Sequence, residues 1–192
     1  SYTANGAVTC SSGTVSAGSA TIDVNAALTL SGCTFTAPSG TMTVSGNFAH
    51  SSGIFTANSG TVSLDGASQQ ISGDTTFYKL TKTVTSADTL TFEASKTQTV
   101  TNTWTVQGAS GALLSLRSSA SGTQWKIDPQ GTRTISYLDV KDSNNINATI
   151  ISTAGFNITD SGNNTGWGST DTTAPNNVTL ESPSDGAYTN NP

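Results

Sequence analysis

A twenty-residue repeat in the amino-terminal third constrains the fold of this chain more than any other feature. Three segments align without a gap, each shifted by twenty residues from the one before: 14–24, 34–44 and 54–64. Self-similarity at such a period is typical of a stacked repeat protein, in which one unit cannot bury its apolar face alone and a neighbouring unit must cover it.

The columns of the repeat separate buried positions from exposed ones. Five columns are apolar in every copy: Val15/Phe35/Phe55, Ala17/Ala37/Ala57, Ile22/Met42/Val62, Val24/Val44/Leu64 and Val8/Leu28/Phe48. Hydroxyl or short polar residues lie between them, which gives the period-two alternation of a strand with one buried face. Three more columns hold glycine, proline, asparagine or their equivalents, which end strands because of their backbone preferences.

Each unit therefore predicts three short strands joined by three corners. This is one coil of an all-β, three-sided parallel β-helix, or β-solenoid, with coils of about 20 residues. Each strand pairs with its equivalent one coil away, at about 4.8 Å. Phe35 and Phe55 should consequently lie in contact, and neighbouring strands should run in the same direction.

Composition excludes several kinds of partner. The chain has 192 residues, a net charge of -5 and only seven lysines and arginines, with no basic run. We expect no nucleic-acid partner, because phosphate binding needs clustered cations. No apolar stretch approaches the length of a transmembrane helix, so we expect no membrane insertion. The chain opens at Ser1 close to a repeat, which suggests that a signal peptide or an upstream region has been removed.

The two cysteines, Cys10 and Cys33, fall in neighbouring coils but three columns apart. In a straight strand that offset would separate their Cα atoms beyond the ~7 Å limit for a disulfide, although a corner could bring them together. The sequence leaves open whether they form a disulfide or remain two buried thiols. We expect no metal binding by the two cysteines, since no histidine lies nearby. We also expect no cofactor.

Later coils are less regular, with apolar pairs spaced by about 20 to 24 residues, as expected when loops are inserted at corners. The pairs that mark these coils include Leu114/Leu116, Trp125/Ile127, Ile135 with Leu138/Val140, Ile150/Ile151 and Phe156/Ile158.

An ordered set of motifs over about residues 60–168 resembles the β-helix repeat modules of large bacterial surface proteins. The motifs are Thr76-Phe-Tyr-Lys-Leu-Thr81, Leu113-Leu-Ser-Leu-Arg-Ser-Ser119, Gly122-Thr-Gln-Trp125, Ile135-Ser-Tyr-Leu-Asp-Val-Lys-Asp-Ser143 and Asp160-Ser-Gly-Asn-Asn-Thr-Gly-Trp167. The resemblance implies a right-handed parallel β-helix of the pectate-lyase-like superfamily, found in secreted, adhesin-like chains. It carries over no catalytic residue.

Domain organisation follows from a change of composition after Trp167. We predict a parallel β-helix over 1–168 and a linker with an extended, strand-like tail over 169–192. The tail resembles the opening strand of a bacterial immunoglobulin-like domain. Its apolar residues, Val178, Leu180 and Tyr188, are candidates for pairing with another molecule.

Charged side chains late in the chain are candidates for a glycan-cleaving site. They are Arg117, Lys126, Asp128, Arg133, Asp139, Lys141 and Asp142. Asp139 and Lys141 point the same way along one predicted strand, so acid–base chemistry is conceivable. No pair of carboxylates has the fixed close spacing of a glycosidase, and charges of alternating sign relieve repulsion between stacked coils. We therefore predict no catalytic residue and no enzymatic activity.

Other polar residues are better explained as corner residues than as catalytic or metal-binding residues. His50, the only histidine, falls in the column of Leu30 and Gln70 and is predicted to bond to backbone near a corner. The runs that begin at Asp142 and Asp160 offer oxygens to calcium but lack the acidic spacing of a dedicated loop. Sequons permit glycosylation at Asn147, Asn157, Asn163 and Asn177.

Threonine columns form the last candidate surface. The members of this ladder are Thr21, Thr41, Thr61, Thr43, Thr36 and Thr56. Regularly spaced hydroxyls are what ice-binding solenoids present, although threonine is also a good outward residue of any strand.

The sequence as a whole predicts a non-enzymatic, extracellular structural or adhesive module of a bacterial surface protein. Its partners would be a cell-surface or glycan ligand, or copies of itself. The alternatives are a fibre subunit that stacks end to end and adds its tail as a strand, a polysaccharide-binding or polysaccharide-cleaving β-helix, and an ice-binding solenoid.

Overall fold

A computed structural model of the chain describes residues 1–168. The predicted tail, with Val178, Leu180 and Tyr188, lies outside the described residues. The described part is all β and contains twenty strands: β1 Tyr2–Ala4, β2 Val8–Cys10, β3 Thr14–Ser16, β4 Ile22–Val24, β5 Leu28–Thr36, β6 Thr41–Val44, β7 Phe48–Thr56, β8 Thr61–Leu64, β9 Gln69–Ser72, β10 Thr75–Thr83, β11 Asp88–Phe92, β12 Thr97–Gln107, β13 Leu114–Ser118, β14 Trp125–Pro129, β15 Thr132–Ser136, β16 Leu138–Val140, β17 Ser143–Asn145, β18 Ile151–Ser152, β19 Ile158–Asp160 and β20 Trp167–Gly168. Within it, no helix is long and apolar enough to cross a membrane.

These strands form two nine-stranded sheets and one two-stranded sheet. The first follows the order β1-β4-β6-β8-β10-β12-β14-β17, with β15 also paired to β12. The second follows β19-β16-β13-β11-β9-β7-β5-β2, with β3 also paired to β5. Each step along a sheet joins strands from successive coils, and all pairings between the named strands are parallel. The fold is therefore a parallel β-solenoid of about eight turns, as the sequence predicts.

Long strands that bend give each coil its three sides. The first part of β5 pairs with β2 and its last part pairs with β3, and the bend between them contains Gly32 with φ 142°. We name three faces by the segments that form them. The first face comprises 2–4, 22–24, 41–44, 61–64, 79–83, 103–107 and 132–136. The second runs from β2 to β19, and the third from β3 to β17.

The register of the first coils is that of the twenty-residue repeat. Ile22 pairs with Met42, which pairs with Val62, and all three side chains are buried. Phe35 pairs with Phe55, and their rings stack with centroids 6.1 Å apart and planes 14° apart. The contact between these two rings confirms the prediction of stacked, parallel coils.

The twenty-residue register is lost between the third and fourth coils. Phe48 pairs with Ile71, a separation of 23 residues, so Gln70 does not share the column of His50 as predicted. Later separations vary more than the predicted 20 to 24, because Val62 pairs with Leu80 at 18 and Trp104 pairs with Arg133 at 29. Loops of different length at the corners absorb these differences while the straight segments stay in register.

The core is a continuous column of apolar side chains. Its largest members are Phe48, Phe77, Phe92, Trp104 and Trp125, all fully buried. Phe92 and Trp125 stack with ring centroids 3.9 Å apart. Aromatic pairs of this kind stabilise a fold by about 0.5–1.5 kcal/mol beyond the area that they bury.

Three residues predicted to lie in apolar columns are exposed instead. Val15 is exposed because it pairs with Phe35 on one side only. Ile150 and Phe156 are 49% and 42% exposed, so in each predicted pair it is the other partner, Ile151 or Ile158, that points inward. Both exposed residues belong to loops between strands, where alternation no longer fixes the direction of a side chain.

Candidate functional site

The first face carries two outward columns of hydroxyl side chains. Along one column, successive pairings join residues from seven coils: Thr3, Asp23, Thr43, Ser63, Thr81, Thr105 and Thr134. The column beside it joins Thr41, Thr61, Lys79, Thr103 and Thr132. Thr21 lies one position before the start of β4, on the same side of the coil. In the middle coils the neighbours along each strand, such as Met42, Val62 and Trp104, lie in the core, so alternation makes these side chains point outward. Thr3 and Thr132 lie beside residues that are not fully buried.

Two members of the predicted ladder do not belong to this face. Thr36 and Thr56 pair with each other on the third face. The third face is less regular, because Thr34 pairs there with the exposed Ile54. Both sets recur every twenty residues, and a repeat alone does not separate them. The corner at Pro38 and Asn58 lies between the two sets, and the structure shows that it divides them between two faces.

The late charged residues do not gather into one site. Arg117 forms an ion pair with Asp139, and the guanidinium also donates to the Asp139 carbonyl oxygen. Ser161 donates to the same carboxylate at 2.5 Å. These contacts join successive coils on the second face and use both oxygens of Asp139. Lys141 follows the end of β16, so it does not continue the strand with Asp139 as predicted.

Arg133 and Asp128 belong to a different cluster. The guanidinium of Arg133 donates to the carbonyl oxygens of Pro129, Thr149 and Ile150, at 2.9 to 3.3 Å. Asn147 connects the two charged residues, because it accepts from Arg133 and donates to Asp128 at 2.8 Å. This cluster holds the loop after β17 in place, and its hydrogen bonds engage both charged groups.

The two asparagine-rich runs stack as corners. Asn163 donates to the buried carboxylate of Asp142 at 2.7 Å, and the amide of Gly122 donates to its other oxygen. The hydrogen bond from Asn163 holds the pKa of Asp142 below its usual value, although burial acts in the opposite direction. In the part of the chain that the structure describes, no group of three histidine, cysteine or acidic residues could hold a metal ion.

His50 lines a polar recess of about 280 Å³ with Ser51, Ser52, Asp74, Glu93 and Lys96. Its Nδ1 lies 3.0 Å from the carbonyl oxygen of Asp74, in agreement with the predicted contact to backbone at a corner. The Nε2 atom is buried and has no hydrogen-bond partner among the described residues. Asp74 and Lys96 form an exposed ion pair, so the recess presents charges of both signs.

A buried lysine is the feature that sequence reasoning missed. The side chain of Lys82 is 1% exposed and its Nζ lies 2.8 Å from Asp88 Oδ2 and 2.9 Å from Gln69 Oε1. It also donates to the carbonyl oxygen of Gly66. The signal was present, since Lys82 follows Leu80 by two positions and therefore shares its inward direction.

Asp88 completes this network from the next strand. Its other carboxylate oxygen accepts hydrogen bonds from the amides of Ser68 and Thr89, at 2.7 and 2.8 Å. Burial raises the pKa of Asp88, but the hydrogen bonds from Lys82 and from the two amides outweigh it and the net change is downward. The ammonium and both carboxylate oxygens each have hydrogen-bond partners, as polar groups of a buried pair require.

Cys10 and Cys33 form a disulfide between the first two coils. Their Cα atoms lie 5.6 Å apart, within the range that the bond needs. The corner at Gly32 makes this possible, since it displaces Cys33 from the straight strand on which Leu30 pairs with Cys10. No free cysteine remains in the described part.

The fold and these contacts define the chain as a threonine-rich parallel β-solenoid. Comparison with protein-family models, with curated proteins and with solved structures finds no match to it. Its function must therefore be inferred from its own residues.

Proposed function

We propose that this chain is a non-enzymatic structural module of a bacterial surface protein, exported from the cell, in which the solenoid acts as a rigid spacer with an adhesive surface. The observation that carries the proposal is the disulfide between Cys10 and Cys33. Disulfides persist in oxidising compartments and are rare in the cytosol of mesophiles, where thiols are kept reduced.

The bond also fits a module that must resist unfolding outside the cell. It closes a segment of 23 residues, for which the chain-entropy model predicts a stabilisation of about 3 kcal/mol. It fastens the coil that contains β2 and β3 to the coil that contains β5. Such a crosslink adds to the contacts between neighbouring coils, which supply most of the stability of a solenoid.

The dimensions of the fold support a spacer. About eight coils at roughly 4.8 Å each give a rod of about 38 Å with a continuous apolar core. Few charges and many hydroxyl groups lie on its sides. The change of composition after Trp167 and the resemblance of 60–168 to modules of large surface proteins support a place within a multidomain chain of the pectate-lyase-like kind.

Localisation is the direct test of this proposal. Antibodies raised against the solenoid should label intact cells of the source organism, and brief protease treatment of those cells should remove the label. The cysteines of protein taken from the cell surface should resist a thiol reagent until a reductant is added. Protein found only in the cytosolic fraction, with two reactive thiols, would exclude the proposal.

Catalysis is tested separately on the purified chain. We expect no turnover on a panel of acidic and neutral polysaccharides, and Asp139→Ala should behave like the unmodified chain. Turnover that depends on Asp139 would show that the module is an enzyme. Negative-stain images that show regular filaments would favour the fibre subunit instead.

A further inference from the structure

The first face is a two-dimensional array rather than a single stripe. Its longer column spans seven coils, or about 29 Å at the usual strand spacing, and its two columns stand about 6.7 Å apart because they are two residues apart along each strand. A surface that repeats in two directions matches best a ligand that itself repeats in two directions, as the face of a crystal does.

The side chains of the array are already ordered before they meet a surface. Threonine is branched at Cβ, which leaves few χ1 rotamers and lowers the entropy lost on binding. Each threonine presents one methyl and one hydroxyl, so apolar surface alternates along the array with groups that form hydrogen bonds to water. Water molecules bound to the array can then bridge it to a crystal with little further loss of entropy.

Most hydroxyls of the array are free to bond to water. Among the described residues, the Thr43 hydroxyl donates to Asp23 at 2.8 Å and that of Thr103 donates to Asn102 at 2.8 Å. The other threonines of the two columns make no side-chain hydrogen bond within the described part of the chain. The oxygens therefore lie at repeating positions with their bonding capacity unused.

Three residues bring charge to the surface of this face: Asp23, Lys79 and Arg133. Arg133 is partly exposed, and its guanidinium donates to the carbonyl oxygens of Thr149 and Ile150. Asp23 lies near one end, where Thr43 donates to it. Lys79 stands between Thr61 and Thr103, with its ammonium 5.6 Å from the centre of the Tyr78 ring. A lysine ammonium is strongly hydrated and disturbs the regular water of an ice-like surface, so Lys79 interrupts the array.

The other two faces lack this regularity. The second carries the Arg117 and Asp139 ion pair on its outward side. The third carries Lys126 and Asp128 beside Thr97 and Thr99. A selective surface should therefore be confined to the first face.

We propose that the first face binds crystalline water, so that this solenoid adsorbs to ice through the two threonine columns between Thr3 and Thr134. The occupant is the ice lattice itself. The proposal is independent of where the chain is located in the cell, and the two can fail separately.

The test uses the full chain, with ice as the probe. Thermal hysteresis and inhibition of ice recrystallisation are measured for the unmodified protein and for three variants. Thr105→Tyr places a bulky ring in the middle of the array, and Lys79→Thr completes a column. Thr99→Tyr is the matched control, because it makes the same substitution at an outward threonine of the third face. Circular dichroism and thermal unfolding show whether each variant keeps the fold.

We expect activity in the unmodified protein, its loss in Thr105→Tyr, an increase in Lys79→Thr and no change in Thr99→Tyr. An unmodified protein that is excluded from growing ice, as an inert protein is, would overturn the proposal. Equal losses in folded Thr105→Tyr and Thr99→Tyr would do so too, because they would show that no particular face is used. If Thr105→Tyr fails to fold, the increase expected in Lys79→Thr decides, and its absence overturns the assignment.

Discussion

Removal of the Asp88 carboxylate should destabilise the solenoid more than any other loss of a single charge. Lys82 is 1% exposed and its ammonium is held by one carboxylate, one carboxamide and one carbonyl oxygen. Asp88→Ala leaves that ammonium in the core with two neutral acceptors. Breaking a buried pair from one side costs roughly 3–5 kcal/mol, and we expect a loss in this range.

Removal of the lysine charge should lower the free energy of unfolding by less than removal of the Asp88 carboxylate. Lys82→Met keeps a long unbranched side chain beside Val106, its partner on the next coil, and removes the charge. Asp88 keeps the amides of Ser68 and Thr89 and some contact with water. Gln69 Oε1 loses its donor, and an unsatisfied buried group costs about 1–3 kcal/mol. Lys82→Met combined with Asp88→Ala should recover part of the loss seen in Asp88→Ala alone, because no uncompensated charge then remains.

Urea unfolding of the four proteins measures these differences. Far-ultraviolet circular dichroism follows the strands, and the fluorescence of the buried Trp104 and Trp125 follows the core of the adjoining coils. Coincident transitions would justify a single free energy of unfolding, which a repeat array does not guarantee. A cost below about 1 kcal/mol for Asp88→Ala, the size expected of an exposed ion pair, would refute the reasoning. Additive effects of the two single changes would refute it as well, since residues in contact should couple.

Three further predictions concern the disulfide, an acidic corner and a glycine. Reduction of the bond between Cys10 and Cys33 should lower the free energy of unfolding by about 3 kcal/mol, measured by urea unfolding with and without reductant. The lowered pKa of Asp142 stabilises the fold above the pKa of an unfolded aspartate, about 3.9, and this contribution is lost as the pH falls below it. Asp142→Asn should therefore flatten the acid limb of a stability curve, and an unchanged limb would contradict the cause assigned here. Gly66→Ala should disrupt the coil, because its Cβ would lie 1.7 Å from a backbone oxygen, whereas Gly6→Ala meets no atom within 4 Å and should keep the melting temperature.

How much of this could be predicted depends on how local the relevant interactions are. The pairing of Phe35 with Phe55 follows from the repeat because equal coil lengths place equivalent residues above one another. The pairing of Trp104 with Arg133 does not, because the corner loops between them have no regular length. A sequence pattern records which residues point inward along a strand, but it does not record how far a loop carries the chain before the next strand begins.

The candidate surface shows the same division. Thr41 and Thr61 belong to the repeat and were predicted as neighbours, whereas Thr103 and Thr132 join their column only through irregular coils. Lys82 shows a different limit. Alternation indicates that it points inward, but only the packed coils reveal that Gln69, Gly66 and Asp88 meet its ammonium there.

The sequence by itself determined the parallel β-solenoid, its three sides and the inward columns of the first coils, because period-two alternation and corner residues act within a few positions of the chain. Tertiary structure decided the rest: the disulfide between Cys10 and Cys33, the buried ion pair and the length of the threonine array. Each of these joins residues from different coils. Their distance depends on how coils of unequal length stack, which is a property of the folded molecule as a whole.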